Sequence, residues 1–586
     1  MGNKQSTSNP GYTLVKSNDE KILAKNESGD QFAVKKLRAG QDVNFLLHLN
    51  HPHIVHHKEI IRDGDCIYLV LDYFEAEDLA EKIKHKTQTA GQFSEKEILD
   101  WTVQICMALK YLHDQQILHK DLQPKSLLFT ACGTIRLGEF DKNSNYNLSF
   151  PHDEPAISSE SESLANVAPE ILSGKSYNKK SEIWRLGCVI NEMCTLRRAF
   201  SSRNSDEIVK KIRRSSYEHL PENFSEDLHE LIKDTLQVRP ADRPSVSEIL
   251  KRPFIIKHLN KMSKQTIEEL NKSLDELRTL ANDLEKIHFN TTVGSLAGGV
   301  IGLVGGILSV VGLILTPFTL GASLIVTGVG VGVATAGGVT AGVSNVTKIV
   351  NQRSNRQNVK MLITMIQEKI TSTSCCIQNI QIAVGTKLKE FPESDQPQSN
   401  AQSENSDKQT LASGARLGRG LAGISELARL VEVASVGKVA AQTARVARVA
   451  EVATGVLSGL FIAVDVFFIA LDAKEIHDLR QDTASSETQQ EPENAASNRG
   501  QSPETTNDTS EQSKTKNLTN TKKKEQELRT EIMKFVKTIR ETEKELSNIL
   551  DELREELQEL QPKIPNSYDD DDELMMMMNR SRLSFQ

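Results

Sequence analysis

The most constraining feature of this 586-residue chain is a stretch of 59 residues, 289–347, that contains no Asp, Glu, Lys or Arg. It holds 14 of the chain's 33 glycines, although the chain as a whole has an ordinary 26% of charged residues. A purely soluble globular enzyme does not accommodate such a gap in charge, so the composition excludes that class. The formal net charge of −8 also argues against a nucleic-acid partner, which would require a basic face.

The uncharged stretch has the dimensions of a transmembrane helical hairpin. Residues 293–315 and 320–343 each suffice to cross a bilayer at about 20 residues per helix, and Pro317 separates them. Glycines four apart, such as Gly294 and Gly298, allow helices to approach closely in lipid. We predict a membrane-inserting hairpin. The alternative is a buried hairpin of a soluble domain that inserts only when triggered.

The N-terminus predicts a lipid anchor. Gly2 and Ser6 fit the N-myristoylation pattern, and the alternative is a polar arm without structure. Because one myristoyl chain binds membranes only marginally, a second anchor is needed, and the uncharged stretch would supply it. The first thirty residues lack the apolar region of a signal peptide, so we expect an intracellular protein on the cytoplasmic face of a membrane rather than a secreted one.

The first 257 residues predict a sheet lobe followed by a helical lobe, because strand patterns at 31–35 and 66–71 precede a helical pattern at 95–113. A set of motifs then follows in a fixed order: Phe32-Ala-Val-Lys35, His51-Pro-His-Ile-Val55, His119-Lys-Asp-Leu-Gln-Pro-Lys-Ser126, Leu137-Gly-Glu-Phe-Asp141, Ala168-Pro-Glu170, Ser181-Glu-Ile-Trp-Arg-Leu-Gly-Cys188 and Arg239-Pro-Ala-Asp-Arg-Pro244.

These motifs resemble those of protein kinases, and the runs 71–79 and 190–196 are most similar to the NIMA-related serine/threonine kinases. The resemblance implies a two-lobed α+β kinase fold over residues 11–257. It also implies ATP with Mg²⁺ as cofactor and Asp121 as the catalytic base. Lys35 would bind the nucleotide phosphates, with Asp42 as its partner on helix C.

Several positions depart from this pattern. Ser126 stands where the family has a metal-binding Asn, and Glu139 replaces the metal-binding Asp. The expected glycine-rich loop, residues 15–22, contains no glycine, so its amides cannot approach phosphates closely. We therefore expect ATP and Mg²⁺ binding to be weak or absent and favour a pseudokinase. The alternative is an active membrane-tethered kinase that relies on Lys35 and Asp121.

Two clusters of metal-ligand residue types are interpreted as structural. His51, His53, His56 and His57 lie in the loop after helix C, where a packing role is the simpler interpretation. Cys375-Cys376 is expected to face the core, since the seven cysteines show no metal-ligand spacing and fit reduced thiols.

The uncharged stretch also resembles a second family. The runs 305–308, 313–326, 330–339 and 459–477 look like the apolipoprotein L family, bracketing about residues 260–480. This resemblance implies a helical, lipid-binding, membrane-associated region, which in some members forms pores. The absence of a signal peptide argues against a circulating lipoprotein.

Asp465 is the candidate gating residue, with Pro317 at the turn of the hairpin. Asp465 is the one charged residue within residues 452–471. Because a carboxylate at mid-bilayer is costly, Asp465 would face water or be protonated there, which predicts an acid-sensitive gate. The alternative is that Asp465 lies on the solvent-exposed edge of an amphipathic helix in a soluble domain.

The remaining segments predict helices and linkers. Apolar residues from Ile267 to Leu284 recur every three or four positions, which predicts either a coiled-coil seam or a packed helix face. Ile532, Ile539, Leu546, Leu553 and Leu560 repeat every seven residues and predict a coiled coil. The expected organisation is an arm (1–10), the kinase-like domain (11–257), a first helical region (258–390), a linker (391–412), a second helical segment (413–480), a linker (481–520), the coiled coil (521–562) and a tail (563–586).

The sequence thus predicts a kinase-like domain followed by an all-α, glycine-rich membrane domain and a coiled coil. The expected function is a membrane-associated signalling or scaffold module, and intracellular lipid transport is a further alternative. The expected partners are membrane lipid, a protein bound by the kinase-like lobe or the coiled coil, and a second copy of the chain.

Overall fold

The computed structural model of the chain describes residues 12–17, 22–26, 31–38, 43–63, 66–72, 77–138, 164–293, 341–387, 437–487 and 508–564. The chain divides into two compact units. The first unit combines residues 1–266 with 371–449 and 553–586, and the second combines residues 267–370 with 450–552.

The first unit begins with five antiparallel strands: β1 (Tyr12–Ser17), β2 (Ile22–Asn26), β3 (Gln31–Arg38), β4 (His57–Asp63) and β5 (Cys66–Asp72). Their order in the sheet is β1-β2-β3-β5-β4. Strands β3 and β5 confirm the two predicted strands, and Lys35 of β3 pairs with Leu69 of β5. Between β3 and β4 the described backbone forms a 3₁₀ helix, Asn44–His48.

A helical lobe follows the sheet. Its helices are α1 (Leu79–Gln88), α2 (Glu95–Asp114), α3 (Pro169–Leu172), α4 (Lys179–Thr195), α5 (Ser205–Arg214), α6 (Glu226–Thr235) and α7 (Val246–Leu250). Strands β6 (Leu127–Phe129) and β7 (Ile135–Leu137) pair antiparallel beside them. Ser94 caps α2 in a capping box with Glu97, which explains why the helix predicted at 95–113 begins at Glu95.

The core of this lobe contains a buried ion pair. Arg243 donates to both carboxylate oxygens of Glu170, at 2.9 and 2.8 Å, and neither side chain is more than 2% exposed. Burial favours a raised pKa for Glu170, but the hydrogen bonds from Arg243 and Ser181 outweigh burial and lower the pKa. The guanidinium also lies 5.0 Å from the ring centroid of Trp184. Two of the predicted motifs, Ala168-Pro-Glu170 and Arg239-Pro-Ala-Asp-Arg-Pro244, therefore meet in this core.

Four long helices account for the rest of the described chain: α8 (Pro253–Val293), α9 (Ala341–Lys387), α10 (Gly437–Glu487) and α11 (Asp508–Leu560). The predicted linker 481–520 is wrong at both ends, because α10 continues to Glu487 and α11 begins at Asp508. Propagating a helix adds one hydrogen bond per residue, so packed helices extend into polar flanks. Of the predicted hairpin, residues 294–340, including Pro317, lie outside the described residues.

The second unit packs segments of these four helices together. The predicted apolar stripe of α8 is a packed face, since Ile267, Leu270 and Leu284 are each at most 3% exposed. Arg278 and Glu285 of α8 form ion pairs with Glu543 and Arg540 of α11. Charged pairs thus flank an apolar seam between these two helices.

The heptad positions of α11 are buried within the chain. Ile532, Ile539, Leu546, Leu553 and Leu560 are each at most 2% exposed. The neighbouring Phe535 stacks on Phe467 of α10 with ring centroids 4.4 Å apart. The seam therefore packs against helices of the same chain, and self-association through it stays a prediction.

Candidate functional site

The predicted catalytic loop, residues 119–126 of the helical lobe, is held by buried hydrogen bonds. The His119 Nε2–H donates to the Gly138 carbonyl at 2.7 Å, and His119 Nδ1 accepts from the Asp121 amide at 3.3 Å. Burial lowers the pKa of His119 to about 4, so the ring is neutral at pH 7. Gly138 directly follows β7, and its amide donates to the Ser126 carbonyl at 2.9 Å.

Lys120 turns the loop with a left-handed backbone, at φ 65°. This conformation is uncommon for a residue other than glycine. Glu182 of α4, whose side chain is fully buried, stabilises it by accepting the Lys120 amide at 2.7 Å. The second oxygen of Glu182 lies 2.6 Å from His113 Nε2. The turn therefore depends on a buried carboxylate sixty-two residues away in sequence.

The carboxylate of Asp121 is engaged by two side chains. Gln123 Nε2 donates to Asp121 Oδ1 at 2.9 Å, and Arg185 Nη1 lies 3.7 Å from the same oxygen. A general base has to accept a proton, and an oxygen that already accepts a hydrogen bond and faces a guanidinium is a poorer acceptor. The predicted base therefore has its Oδ1 engaged by Gln123 and Arg185, and its role as a base stays a prediction.

Ser126 does not fit the role of a metal ligand. Ser126 is fully buried. Its hydroxyl donates a hydrogen bond to the Gln123 carbonyl at 2.8 Å and accepts one from the Gln123 amide at 3.1 Å. A neutral hydroxyl in this position brings no charge to a divalent cation, which prefers carboxylate and water oxygens. Within the part of the chain that the structure describes, no cluster of His, Cys, Asp or Glu could hold a metal ion.

The other predicted kinase positions divide between described and undescribed residues. Lys35 lies half-buried on β3, as predicted. Asp42, Glu139 and Gly2 lie outside the described residues. The predictions that they bind nucleotide, bind metal and carry a lipid therefore stay predictions.

Sequence reasoning missed three residues of this site: Gln123, Glu182 and Arg185. All three stand inside motifs that were recognised, but only as landmarks. Gln123 was detectable, because it lies two residues after the predicted base. Arg185 was not, because only the fold brings α4 to the catalytic loop.

A second cluster lies in the helical unit around Asp465 of α10. Arg356 of α9 donates to Asp465 Oδ1 from Nε at 3.0 Å and from Nη2 at 2.8 Å, and Lys360 Nζ lies 2.7 Å from the same oxygen. Asp465 thus has two cationic partners on a neighbouring helix, which sequence reasoning also missed. The acid-sensitive gate at this residue stays a prediction.

Beside Asp465, α10 also presents exposed apolar side chains. Val452, Ile462, Val466 and Ile469 are between 50% and 65% exposed. A Cβ built at Gly455 or Gly459 would meet no atom within 4 Å. Residues 441–471 form the one helix, among the described residues, that is long and apolar enough to cross a membrane, and a third of its most apolar window is buried.

The fold and the loop geometry define a protein-kinase-like lobe, and comparison with known proteins agrees. A model of the protein kinase domain matches residues 11–255, and a model of the apolipoprotein L family matches residues 222–498. One region of the chain is therefore similar to the protein kinase domain, with NIMA-related kinases among its relatives, and another region is similar to the apolipoprotein L family. Both predicted resemblances are confirmed, and the second extends beyond the predicted limits of 260 and 480.

The curated relatives match the kinase-like part. The serine/threonine-protein kinase Nek1 of Mus musculus is 35% identical over 260 residues, 42% of this chain and 21% of that protein. Nek4 of Mus musculus is 34% identical over 256 residues, 41% of this chain and 31% of that protein. Nek2 of Homo sapiens is 30% identical over 272 residues, 45% of this chain and 60% of that protein. The chain thus spans between about a fifth and three fifths of the length of these relatives.

Proposed function

We propose that the chain is a membrane-associated pseudokinase, in which a kinase-like lobe that transfers phosphate poorly or not at all serves as a binding and scaffolding module. The observation that carries this proposal is the occupation of Asp121 by Gln123 and Arg185. Ser126 supports it, because its buried hydroxyl is already bonded within the loop. The kinase relatives use ATP and Mg²⁺ in general, and we propose that this chain binds them weakly.

The test compares the full chain with Asp121→Asn and with the double variant Ser126→Asn/Glu139→Asp, which restores the ligand types that kinases use for metal. Transfer from γ-labelled ATP to the chain itself is measured with Mg²⁺ present. Kinases turn over at about 1–100 s⁻¹. We expect the transfer rate of the wild type to remain at least a thousandfold below this range. The rate of Asp121→Asn should equal that of the wild type.

Ordinary transfer rates in the wild type that disappear in Asp121→Asn would establish the active-kinase alternative instead. Binding is measured separately through the two tryptophans of the chain, Trp101 and Trp184, which both lie buried in the kinase-like lobe. We expect ATP with Mg²⁺ to leave their thermal transition unchanged. A marked upward shift would show that the lobe binds nucleotide, and the transfer assay would then decide whether it also transfers phosphate.

We propose further that the apolipoprotein L region binds lipid through the exposed face of α10. Ile462, Val466 and Ile469 follow at intervals of four and three residues, so they share one side of the helix. An exposed apolar stripe of this kind marks an interaction or membrane surface. With myristoylation at Gly2, this face would hold the chain at the cytoplasmic side of a membrane.

The lipid proposal is tested by flotation of the full chain with vesicles of phosphatidylcholine and phosphatidylserine. Val466→Lys should lower the bound fraction at least tenfold, because a lysine costs about 2.5–3.5 kcal/mol in the bilayer centre. The matched control is Val238→Lys, which makes the same change at an exposed valine of the kinase-like lobe. Equal binding of both variants and the wild type would overturn this surface as the lipid site.

A further inference from the structure

Part of the apolipoprotein L region packs within the same compact unit as the kinase-like lobe. Residues 371–384 of α9 belong to the first unit, together with the loop that contains His51 and His53. From Thr373 to Gln381 every residue of α9 is buried. A helix that is buried all round is a core element rather than a surface addition.

Two hydrogen bonds join this segment to the histidine loop. Ser372 Oγ lies 3.1 Å from His53 Nε2, and Cys375 Sγ lies 3.6 Å from His51 Nε2. His53 Nδ1 lies 3.0 Å from the Ile135 carbonyl, which only accepts, so Nδ1 carries the proton and Nε2 accepts from Ser372. His51 Nδ1 accepts the His53 amide at 3.1 Å, so its Nε2–H donates to the sulfur.

Both histidines are neutral. Burial lowers the pKa of His53 to about 4 and that of His51 well below its usual value. Neutral rings can donate from one nitrogen and accept at the other, as these bonds require. Tyr111 of α2 completes the platform, because its ring stacks on His51 with centroids 5.1 Å apart and its hydroxyl accepts the Asn50 amide at 3.1 Å.

The histidine loop is bonded in turn to the strand that precedes the catalytic site. The Leu137 amide donates to the His53 carbonyl at 2.8 Å, and the Val55 amide donates to the Leu137 carbonyl at 3.0 Å. The next residue, Gly138, is bonded to both His119 and Ser126 of the catalytic loop. Hydrogen bonds, together with the peptide link from Leu137 to Gly138, therefore connect Ser372 with the loop that holds Asp121.

We infer that residues 371–384 of the apolipoprotein L region are a built-in ligand of the kinase-like lobe, and that their seating on the histidine loop holds β7 and the catalytic loop in place. Coupling of this kind is reciprocal, so whatever displaces the helix loosens the site, and whatever binds the site favours the seated helix. The inference does not depend on whether the lobe transfers phosphate.

The test measures amide hydrogen exchange in the full chain at pH 7, because exchange reports local opening. Cys375→Arg places a cation at a fully buried position beside neutral His51. We expect peptides covering residues 50–56, 119–126 and 135–138 to exchange at least tenfold faster. The matched control is Thr364→Arg, which adds the same charge to the same helix at an exposed position. This control should leave those peptides unchanged.

A milder variant, Ser372→Ala, keeps the inference testable if Cys375→Arg unfolds the lobe. It removes only the hydroxyl that donates to His53, so the emission of Trp101 and Trp184 should keep its wild-type form. Exchange at residues 53–55 and 135–138 should still rise about threefold. The inference is overturned if Ser372→Ala changes none of these peptides, or if only α9 itself responds in either variant.

Discussion

A glycine in α4 sets how closely two helices of the kinase-like lobe approach. A Cβ built at Gly187 would lie 2.5 Å from Thr235 Oγ1 and 2.9 Å from Leu236 Cδ2. Thr235 cannot easily move away, because its hydroxyl is bonded to the carbonyls of Leu231 and Ile232, each at 2.9 Å. We predict that Gly187→Ala lowers the free energy of unfolding of the lobe by about 1–3 kcal/mol, as measured by urea titration of tryptophan emission.

The control is the same substitution in a helix where space is open. A Cβ at Gly459 of α10 would meet no atom within 4 Å, so Gly459→Ala gains helix propensity without a clash. We expect amide exchange in α10 to slow slightly in this variant, and the lobe to unfold as in the wild type. A Gly187→Ala lobe as stable as the wild type would show that α4 and α6 are not in close contact.

At the residue scale, the sequence predicts functional residues that lie within one short motif. It does not predict the partners that folding brings to them from distant parts of the chain. Lys35, Asp121 and Ser126 were predicted because each stands inside a short motif. Arg185 lies sixty-four residues after Asp121, and no spacing rule connects them. Asp465 was singled out as a lone carboxylate, whereas Arg356, its partner, lies 109 residues away in sequence. Pairing across helices depends on packing angles that a single sequence does not contain.

At the scale of elements, α11 shows what a heptad pattern does and does not determine. The pattern correctly predicts a helix with one buried face, since Leu546 is fully buried. It does not determine which helix covers that face, because helices of the same chain and of a second copy satisfy the same spacing. Here Phe467 of α10 and the charged residues of α8 flank the seam.

This arrangement predicts that truncating the seam weakens the chain without changing its oligomeric state. Leu546→Ala should cost about 2–5 kcal/mol, because it leaves a cavity in a packed core. Amide exchange of residues 532–550 should accelerate accordingly. Lys537→Ala, on the exposed side of the same helix, should leave exchange unchanged. If light scattering instead shows Leu546→Ala to have a lower mass than the wild type, the seam pairs with a second copy.

At the scale of the whole molecule, the kinase-like lobe contains several histidines that fold in the neutral form. Burial lowers the pKa of His53, His57 and His119 to about 4 each. The unfolded chain binds these protons near pH 6.5, so between pH 6.5 and 4 the unfolded state holds more protons than the folded state. The lobe therefore loses stability as the pH falls, by up to about 1.4 kcal/mol per histidine and pH unit.

Carboxyl groups of the lobe alter this dependence of stability on pH only in part. Burial raises the pKa of Glu192, so this group stabilises the folded lobe as the pH falls and opposes one histidine. The pKa of Asp100 is lowered, because its hydrogen bonds to His258 and Lys96 outweigh its burial. Asp100 therefore adds to the loss of stability only near and below its ordinary pKa of about 3.8. Between pH 6.5 and 5 the histidines dominate.

We accordingly predict that the tryptophan-detected melting temperature of the lobe falls steeply from pH 6.5 to pH 5 in the full chain. His53→Gln cannot take up a proton in the unfolded state, so its stability should fall less steeply over this range, by about one proton in the linkage slope. His85→Gln, at an exposed position of α1, should keep the wild-type slope. A wild-type lobe with constant stability down to pH 5 would mean that these histidines are protonated in the folded state, in which case His53 Nε2–H would donate to the Ser372 hydroxyl instead of accepting from it.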